Sequence, residues 1–501
     1  MRHFPLRTSH FALLLASLLL FVLLATANGA GYRYGVSDGA AYVPAVMLAE
    51  NPASFPRDAV LLRTQGQFFI FDDILAAIGR ATGASVESLF LSAYLLAMAT
   101  IWFGVVLIGS RLYPSLWLTL ALGALVTLRH HIPRTSANSL EPYFHPRLLA
   151  LGLGMLAIAA FLRRRDWSAV ALVAVAALCH VTTAFWFAIV IGTGLMVVDR
   201  RWRLPGAAAT GVVLVALAWA VTIGPLRAAA STMDGLWIDA LGGRDFIFAN
   251  EWPLWAWAAN LGLLGGLWAA HYTRLRRGTA TREDGALVWG ATALVALFAI
   301  TLPAVAGHLA LAVQFQFSRV FWIVDLLLAL YGIAAIGESM RVRQMTALAL
   351  VLLAVSVARG VYIMEREFTE RQLFQVSLPE SPWIDAMRWI ARQPLDVHVL
   401  ADPGHAFKYG ASVRVAAGRD VLLEDDKDSA IAMYSRAIAQ RVVERRRALA
   451  DFPALTAPAA RALAARYDVN FLVTEATLPL PEVYRNSRFR IYALKPAGPA
   501  S

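Results

Sequence analysis

The chain alternates between long apolar segments and short polar linkers from about residue 11 to residue 364. A helix rises ~1.5 Å per residue, so segments of this length can cross a hydrocarbon layer of ~30 Å. Lipid offers no hydrogen-bond partner to a backbone amide, so a segment that spans the bilayer must be helical. The alternation therefore predicts an α-helical polytopic membrane protein.

Counting the apolar segments predicts about eleven transmembrane helices. Several of the segments are short for a span. We place the helices at residues 11–27, 89–108, 114–128, 148–162, 168–182, 184–198, 205–223, 252–272, 287–303, 320–337 and 345–364.

Hydrophobic residues make up 58% of the chain and charged residues only 16%, whereas roughly a quarter of the residues of a soluble domain are charged. The formal charge of +11 would also suit a nucleic-acid-binding protein. Many of the arginines, however, stand in linkers beside apolar segments, where membrane topology explains them more simply. We therefore predict no nucleic-acid partner. Cys179 is the only cysteine, which excludes an intrachain disulfide.

The arginine-rich linkers predict the orientation, because cytoplasmic linkers carry an excess of Lys and Arg. Arg2 and Arg7 precede the first span and indicate a cytoplasmic amino terminus. An odd number of spans then leaves the polar segment after about residue 366 outside. The first span also resembles a cleavable signal peptide, and the loop after it is outside in either case. The linkers on the cytoplasmic side contain Arg111, Arg163, Arg164, Arg165, Arg200, Arg201, Arg203, Arg274, Arg276, Arg277, Arg341 and Arg343.

The first outer loop, residues 28–87, is too long for a simple connector. It holds two weakly amphipathic stretches, 40–50 and 67–80, that are suited to the membrane interface. It also holds Asp38, followed by Tyr42, and Asp58 after a turn-rich segment. Each Asp is a candidate catalytic carboxylate, and a helix-cap or turn role is the alternative for each.

A second outer region, 129–147, is rich in titratable and aromatic residues directly before a span. Glu141, His145 and Arg147 are candidate binding residues there, with headgroup anchoring as the alternative. His180 is expected at the outer tip of a hairpin, near the level of Glu141, and a satisfied core histidine is the alternative. The histidines lack a clear zinc-ligand spacing, so no metal ligands are assigned.

Gln316 and Arg319 precede a later span at the outer boundary, and Asp325 lies within that span. Residues three apart share a face of a helix, so Gln316 and Arg319 are expected to point the same way. A guanidinium matches the oxygens of a phosphate, which makes Arg319 the preferred phosphate clamp. Lipid-headgroup snorkelling is the alternative for Arg319. Asp325 is ionisable inside the hydrocarbon layer and marks a site or an ion pair.

The polar tail alternates short β-rich runs with helical patterns, which predicts a small α/β domain. The acidic segment 424–428 is interpreted as a solvated turn, with a position that faces the membrane site from above as the alternative. We therefore divide the chain into a transmembrane domain, 1–364, and an extracytoplasmic α/β domain, 365–501. Strands are expected at 397–401, 413–416, 421–423, 471–474 and 489–494, and helices at 382–392, 429–447 and 458–467.

The loop pattern resembles the polytopic GT-C type glycosyltransferases of bacteria, in a little-characterised branch. It is carried by Ser37-Asp38…Tyr42…Pro44, then Asn51-Pro52 and Phe55-Pro56-Arg57-Asp58, with the later Glu141…His145-Pro146-Arg147, His180 and Gln316…Arg319. The resemblance implies a multi-pass protein of the bacterial inner membrane and a donor sugar on a polyprenyl phosphate. It also implies that the carboxylate at Asp38 acts as the catalytic base or as a metal ligand. The loop lacks the Asp-x-Asp pair of the metal-dependent branch, so no cofactor is assigned and a divalent cation stays open.

The resulting hypothesis is transfer of a sugar from a polyprenyl-phosphate donor to a glycan, lipid or protein acceptor outside the cell membrane. Asp38 is the expected base and Asp58 the second choice. Arg319 and Arg147 would stabilise the leaving phosphate, while Tyr42, Glu141, His145, His180 and Gln316 would bind the substrates. A transporter or flippase of lipid-linked or small polar solutes and a non-catalytic scaffold of the same fold are the alternatives.

Overall fold

The computed structural model describes residues 8–66, 70–244 and 246–495. The chain forms two compact units, each built from three segments. The first unit comprises residues 1–32, 92–230 and 245–374, and the second comprises residues 33–91, 231–244 and 375–501. The division of the chain at residue 364 stays a prediction.

Most of the chain is helical. The helices are α1 Thr8–Asn28, α2 Gly39–Glu50, α3 Ala59–Gly66, α4 Phe71–Thr82, α5 Val86–Leu112, α6 Leu116–Thr127, α7 Pro146–Phe161, α8 Asp166–Cys179, α9 Val181–Val198, α10 Arg203–Thr222, α11 Gly235–Ala240, α12 Leu254–Arg276, α13 Arg282–Ala306, α14 Ala310–Phe315, α15 Val320–Gly337, α16 Val342–Tyr362, α17 Pro382–Ala391, α18 His405–Lys408, α19 Val413–Ala417, α20 Asp425–Ala432, α21 Arg436–Ala448 and α22 Ala457–Tyr467. The strands are β1 Tyr32–Arg33, β2 His131–Ile132, β3 Ala137–Asn138, β4 Phe374–Gln375, β5 His398–Leu400, β6 Asp420–Val421, β7 Phe471–Thr474, β8 Glu482–Arg485 and β9 Arg490–Ala493.

The apolar segments form helices where the sequence predicts them. Each of the eleven expected spans coincides with one of α1, α5–α10, α12, α13, α15 and α16. Among the described residues, six helical stretches are long and apolar enough to cross a membrane: Val86–Leu112, Val181–Val198, Arg200–Thr222, Arg282–Ala306, Ala310–Gly337 and Val342–Glu367. The protein is therefore a multi-pass membrane protein.

Glycine allows close helix packing in the first unit. At Gly290 of α13, an added Cβ would lie 2.5 Å from the backbone oxygen of Val190 in α9. At Gly154 of α7, it would lie 2.2 Å from the ring of Phe187. Only a residue without a Cβ lets the neighbouring helix approach so closely at these two positions, as is common between membrane helices.

The arginine linkers predicted to be cytoplasmic contact one another. Arg164, between α7 and α8, forms salt bridges with Asp199 at 3.5 Å and with Glu283 at 3.4 Å. Arg274, at the end of α12, binds Asp284 at 2.9 Å and Glu338 at 2.8 Å. These contacts place the linkers at one end of the helices, as the alternating orientation requires.

The second unit contains a five-stranded sheet of order β6-β5-β7-β9-β8. β5 is parallel to β6 and β7, whereas β9 is antiparallel to β7 and β8. The core beside the sheet is centred on Trp383, whose ring lies 4.9 Å from that of Tyr409 and 5.3 Å from that of Phe489. Each such aromatic pair contributes ~0.5–1.5 kcal/mol beyond its buried area. The small α/β sheet is thus present as predicted.

Two details of the predicted tail are wrong. Residues 413–416 form helix α19 instead of a strand, because the Ser412 side chain caps the helix and Gly418, at φ 62°, ends it. The expected helix at 429–447 is two helices, α20 and α21, separated by a short break whose Ser435 caps α21. Strand β8 was not predicted.

Residues 33–87 of the first outer loop belong to the second unit. Its amphipathic stretches form α2 and α4, although residues 67–69 of the second stretch lie outside the described residues. Gly79 lets α4 approach Glu50 at the end of α2, since an added Cβ would lie 2.3 Å from Glu50 Oε1. The loop is therefore folded structure and carries Asp38 and Asp58 within the same unit as the tail.

Candidate functional site

The predicted site residues are divided between the two units. Glu141, His145, Arg147, His180, Gln316 and Arg319 belong to the first unit, and Asp38, Tyr42 and Asp58 belong to the second.

In the first unit, loop 129–147 folds back on itself through the short β2–β3 hairpin. Arg134 and Ser136 take left-handed conformations in the turn, with φ of 55° and 51°. Arg319 donates from Nε to the carbonyl oxygen of Thr135 at 3.3 Å, and its guanidinium lies 5.1 Å from the centre of the Phe246 ring. Arg319 is thus held against this loop.

Glu141 is the centre of a buried polar cluster. It is only 3% exposed and binds the guanidinium of Arg147, which is 4% exposed. Arg129 lies 3.6 Å from its second oxygen, and Asn138 donates to both oxygens at 3.3 Å. A buried charge is tolerated only when it is paired and hydrogen-bonded. Arg147 therefore neutralises Glu141, and Arg319 is the better candidate for a phosphate clamp.

His145 and His180 lie together, with their ring centres 5.6 Å apart. The ring of His145 caps α7 by accepting a hydrogen bond from the amide of Arg147 at 3.1 Å. The ring of His180 caps α9 by accepting from the amide of Thr183 at 3.3 Å. Each histidine therefore has a structural contact, which agrees with the alternative of a satisfied histidine for His180.

Asp325 is paired with His130. Nδ1 of His130 lies 2.8 Å from Asp325 Oδ2, and its Nε2 lies 3.2 Å from the carbonyl oxygen of Leu125. Both neighbours are hydrogen-bond acceptors, an arrangement that favours a proton on each ring nitrogen and therefore the cationic ring. Burial opposes this charge, but the hydrogen bond and the charge of Asp325 outweigh it and raise the pKa of His130. The ionisable group in the predicted span is thus part of an ion pair.

The prediction that Gln316 and Arg319 share one helical face is wrong. Helix α14 ends at Phe315, and Gln316 takes a left-handed conformation with φ 50° and ψ 51°. Arg319 lies in the 3₁₀ turn Phe317–Arg319 before α15.

In the second unit, Asp38 immediately precedes α2 and forms a salt bridge with Lys427. Lys427 Nζ lies 3.0 Å from Asp38 Oδ1 and 3.2 Å from Asp426 Oδ2. The side chain of Lys427 is 11% exposed and that of Asp38 is 32% exposed. Burial disfavours the ammonium, but Asp38 and Asp426 together raise the pKa of Lys427. Tyr42, which is buried, follows one turn later and donates its amide to the carbonyl oxygen of Asp38 at 3.1 Å.

Asp58, the second choice for the base, is fully buried. Its carboxylate accepts from Arg414 Nε at 2.7 Å, from Arg441 and from the amide of Val421 at 3.2 Å. Burial opposes ionisation, but the two guanidiniums hold the pKa of Asp58 well below its usual range. A carboxylate enclosed in this way does not reach an acceptor hydroxyl, so its contacts favour a structural role over catalysis.

The interpretation of residues 424–428 as a solvated turn is wrong. Residues from Asp425 onward form α20, and Glu424 and Asp428 are fully buried around Arg414. Arg414 donates to Asp428 at 2.6 Å and lies 3.7 Å from Glu424. Burial raises the pKa of Glu424 to about 7, although the positive charge of Arg414 acts to lower it.

Sequence reasoning missed Lys427 and Arg414. Helix α20 directs Lys427 towards Asp38. It directs the next residue, Asp428, towards Arg414. The one available signal was a lysine between carboxylates, in a chain whose basic residues are otherwise almost all arginines. Arg414 had no local signal, because its partner Asp58 is 356 residues away.

Within the described residues, no group of three or more His, Cys, Asp or Glu side chains is arranged to hold a metal ion. The ammonium of Lys427, 3.0 Å from Asp38 Oδ1, is itself a cation and repels a divalent ion at that oxygen. The residues at Asp38 therefore do not fit a metal ion.

Comparison with known proteins gives relatives by structure only. No family model matches the chain, and no curated protein matches its sequence. The arabinofuranosyltransferase AftD from Mycobacteria is similar in structure, with a TM-score of 0.50 and 14% identity, over 96% of this chain and 40% of that one. The Archaeoglobus fulgidus oligosaccharyltransferase aligns with a TM-score of 0.49 and 11% identity, over 93% of this chain and 69% of that one.

The chain spans well under half the length of the arabinofuranosyltransferase. At these identities the likeness concerns the fold. The chain therefore shares its fold with this arabinofuranosyltransferase, in line with the GT-C glycosyltransferases that its sequence resembles.

Proposed function

We propose that the protein is a GT-C type glycosyltransferase that moves a sugar from a polyprenyl-phosphate-linked donor to an extracytoplasmic acceptor. The acceptor is a glycan, a lipid or a protein. The protein resides in the bacterial inner membrane, with its amino terminus in the cytoplasm and the tail after residue 365 on the outer side. The GT-C fold and the apolar helices support a membrane transferase, and the arginine linkers support the orientation.

The observation that carries this proposal is the Asp38–Lys427 pair. Of the two candidate bases, only Asp38 combines partial exposure, at 32%, with a fixed position. Asp58 is enclosed by two guanidiniums. A general base must reach the proton that it removes, and a charged partner such as Lys427 holds the carboxylate in one orientation.

In the proposed reaction, the hydroxyl oxygen of the acceptor attacks the anomeric carbon of the donor sugar, and Asp38 takes the hydroxyl proton. The bond between the anomeric carbon and the phosphate oxygen breaks, and its electron pair leaves with the polyprenyl phosphate. Arg319 stabilises the departing phosphate. Tyr42, Glu141, His145, His180 and Gln316 bind or orient the substrates, and Arg147 acts by positioning Glu141.

The proposal is tested with the full-length protein in lipid nanodiscs and a panel of polyprenyl-phosphate sugars. The readout is release of polyprenyl phosphate together with transfer of sugar to a supplied acceptor. Asp38→Asn is expected to lower the rate about 10²- to 10⁴-fold, because it removes a general base. Asp73→Asn changes an exposed carboxylate of α4 and is the matched control. Full turnover by Asp38→Asn would reject the base, and absence of turnover by the wild type with every donor would count against a transferase.

A further inference from the structure

A large apolar cavity lies within the first unit, beside α1, α5 and α6. Its volume is about 920 Å³. The walls include Leu20, Leu24, Trp102, Val105, Leu120 and Gly123. At its edge stand Leu13 and Leu116, which are 67% and 79% exposed. These helices belong to the predicted spans, so the surroundings of the cavity are hydrocarbon and an apolar chain is the natural occupant.

Six side chains with a hydroxyl group line the cavity, and five of them, Ser17, Ser110, Tyr113, Ser115 and Thr127, form hydrogen bonds within the protein. Ser17 donates to the carbonyl oxygen of Leu14 at 2.8 Å, and Thr127 donates to that of Ala124 at 2.6 Å. Thr119 is different: it is 9% exposed, and its Oγ1 has no hydrogen-bond partner among the described residues. A buried hydroxyl without a partner is costly, which indicates that a ligand atom accepts its proton.

Thr119 lies near the arginine-linker end of the cavity. It packs against Gly109, where an added Cβ would lie 2.4 Å from Thr119 Oγ1. The next residue, Ser110, also lines the cavity and accepts a hydrogen bond from Arg163 at 2.8 Å. Arg111 follows and donates to the carbonyl oxygen of Leu162 at 3.1 Å.

This end of the cavity is strongly cationic. Over the described part of the chain, neither Arg111 nor Arg163 forms a salt bridge with a carboxylate. Burial and the nearby charges of Arg111 and Arg165 lower the pKa of Arg163. Guanidiniums that crowd together without a counter-charge are stabilised by an anion, and phosphate suits their geometry.

We infer that the cavity binds an acyl chain of an anionic phospholipid from the leaflet at the arginine linkers. The acyl chain fills the space between Leu20, Trp102 and Gly123. Its ester carbonyl accepts from Thr119 Oγ1, and the lipid phosphate contacts Arg111 and Arg163. A polyprenyl phosphate has no ester carbonyl for Thr119, so this site is separate from the proposed donor site and does not depend on the proposed function.

The site is tested by native mass spectrometry of the delipidated full-length protein. Phosphatidylglycerol, phosphatidylcholine with the same chains and a polyprenyl phosphate are titrated separately, and bound lipid is counted. Gly123→Leu fills the cavity, and an added Cβ there meets only Val105 Cγ1, at 3.8 Å. Thr119→Val removes the hydroxyl at nearly constant volume, and Arg163→Gln removes one charge.

The matched controls are Gly262→Leu and Arg343→Gln. An added Cβ at Gly262 meets nothing within 4 Å, and Arg343 is an exposed arginine in the first turn of α16. We expect each of the three variants to lower the affinity for phosphatidylglycerol about tenfold. For Thr119→Val and Arg163→Gln this is the loss expected when a hydrogen bond to a charged or otherwise unpaired group is removed. For Gly123→Leu the reason is that the leucine occupies the space of the acyl chain. The controls should bind as the wild type does.

Three results would overturn the inference. Equal phosphatidylglycerol binding by Gly123→Leu and Gly262→Leu would show that the lipid lies elsewhere. Equal affinity for phosphatidylcholine and phosphatidylglycerol would remove the anionic headgroup from the proposal. Polyprenyl phosphate that displaces phosphatidylglycerol from the wild type, with binding unaffected by Thr119→Val, would assign the cavity to the donor lipid. Circular dichroism of each variant verifies that its helices are intact.

Discussion

The buried carboxylate of Asp58 gives a sharp test of what holds the second unit together. Asp58→Asn keeps the shape of the side chain but removes the negative charge that Arg414 and Arg441 require. Both partners are largely withdrawn from water, with exposed fractions of 1% and 19%. Arg414 keeps its salt bridge with Asp428, but among the described residues Arg441 is left without a carboxylate partner. Breaking a buried ion pair by removing one partner typically costs ~3–5 kcal/mol, because the remaining charge is left uncompensated.

Amide hydrogen exchange measures this cost in the unit concerned. Val399 and Leu400 lie in β5, between β6 and β7, and their amides exchange only when the sheet opens. If the free energy of opening the sheet falls by ~3–5 kcal/mol, these amides exchange about 10²- to 10⁴-fold faster, because each factor of ten corresponds to ~1.36 kcal/mol. The full chain is used, and peptides that contain β5 are followed by mass spectrometry.

Asp468→Asn is the matched control. Asp468 also pairs with two cations, Arg57 and Lys495, but its side chain is 61% exposed. Water screens such pairs, so the exchange rate of β5 should change by less than about fivefold. If Asp58→Asn and Asp468→Asn gave the same small change, the buried ion pairs would not be what stabilises the second unit.

Two further predictions follow from particular contacts. Folding raises the pKa of Glu424 from its ordinary 4.5 to about 7. Between these two pH values the folded state binds more protons than the unfolded state, so the free energy of unfolding falls by about 3 kcal/mol as the pH rises. Glu424→Gln should remove that part of the pH dependence of β5 exchange between pH 5 and pH 8, and an unchanged profile would contradict the assignment. Gly290→Ala places a Cβ 2.5 Å from the backbone of α9 and should cost ~1–3 kcal/mol through overpacking. The melting temperature in detergent is compared with that of Gly262→Ala, because an added Cβ at Gly262 has open space. Equal melting temperatures for the two variants would refute the close contact.

The membrane helices were predictable because a long apolar segment has one stable solution in lipid. The linkers that carry Arg164 and Arg274 contact acidic partners from other linkers at the same end, as the charge pattern indicates. The helix break at Gln316 was not predictable from periodicity, because the spacing of Gln316 and Arg319 also fits one face of a helix.

The contacts of the candidate site were harder to predict than the helices. Asp38 stood out as an acidic residue just after a span, but its partner Lys427 lies 389 residues further along the chain. Residues 424–428 have the composition of a solvated turn, and only the tertiary contact with Arg414 accounts for the burial of Glu424 and Asp428. Local patterns do not encode partners that are brought together by the fold.

The second unit is assembled from three separated stretches of chain, and this affects its biosynthesis. Asp58 leaves the ribosome 356 residues before Arg414. At about 5–20 residues per second, the loop that carries Asp58 waits roughly 20–70 seconds for its partner. During that interval the nascent chain exposes an acidic loop that cannot finish folding, and any protease or chaperone nearby meets it in this state. Translation of the third stretch, from residue 375 onward, is therefore the step that completes this unit.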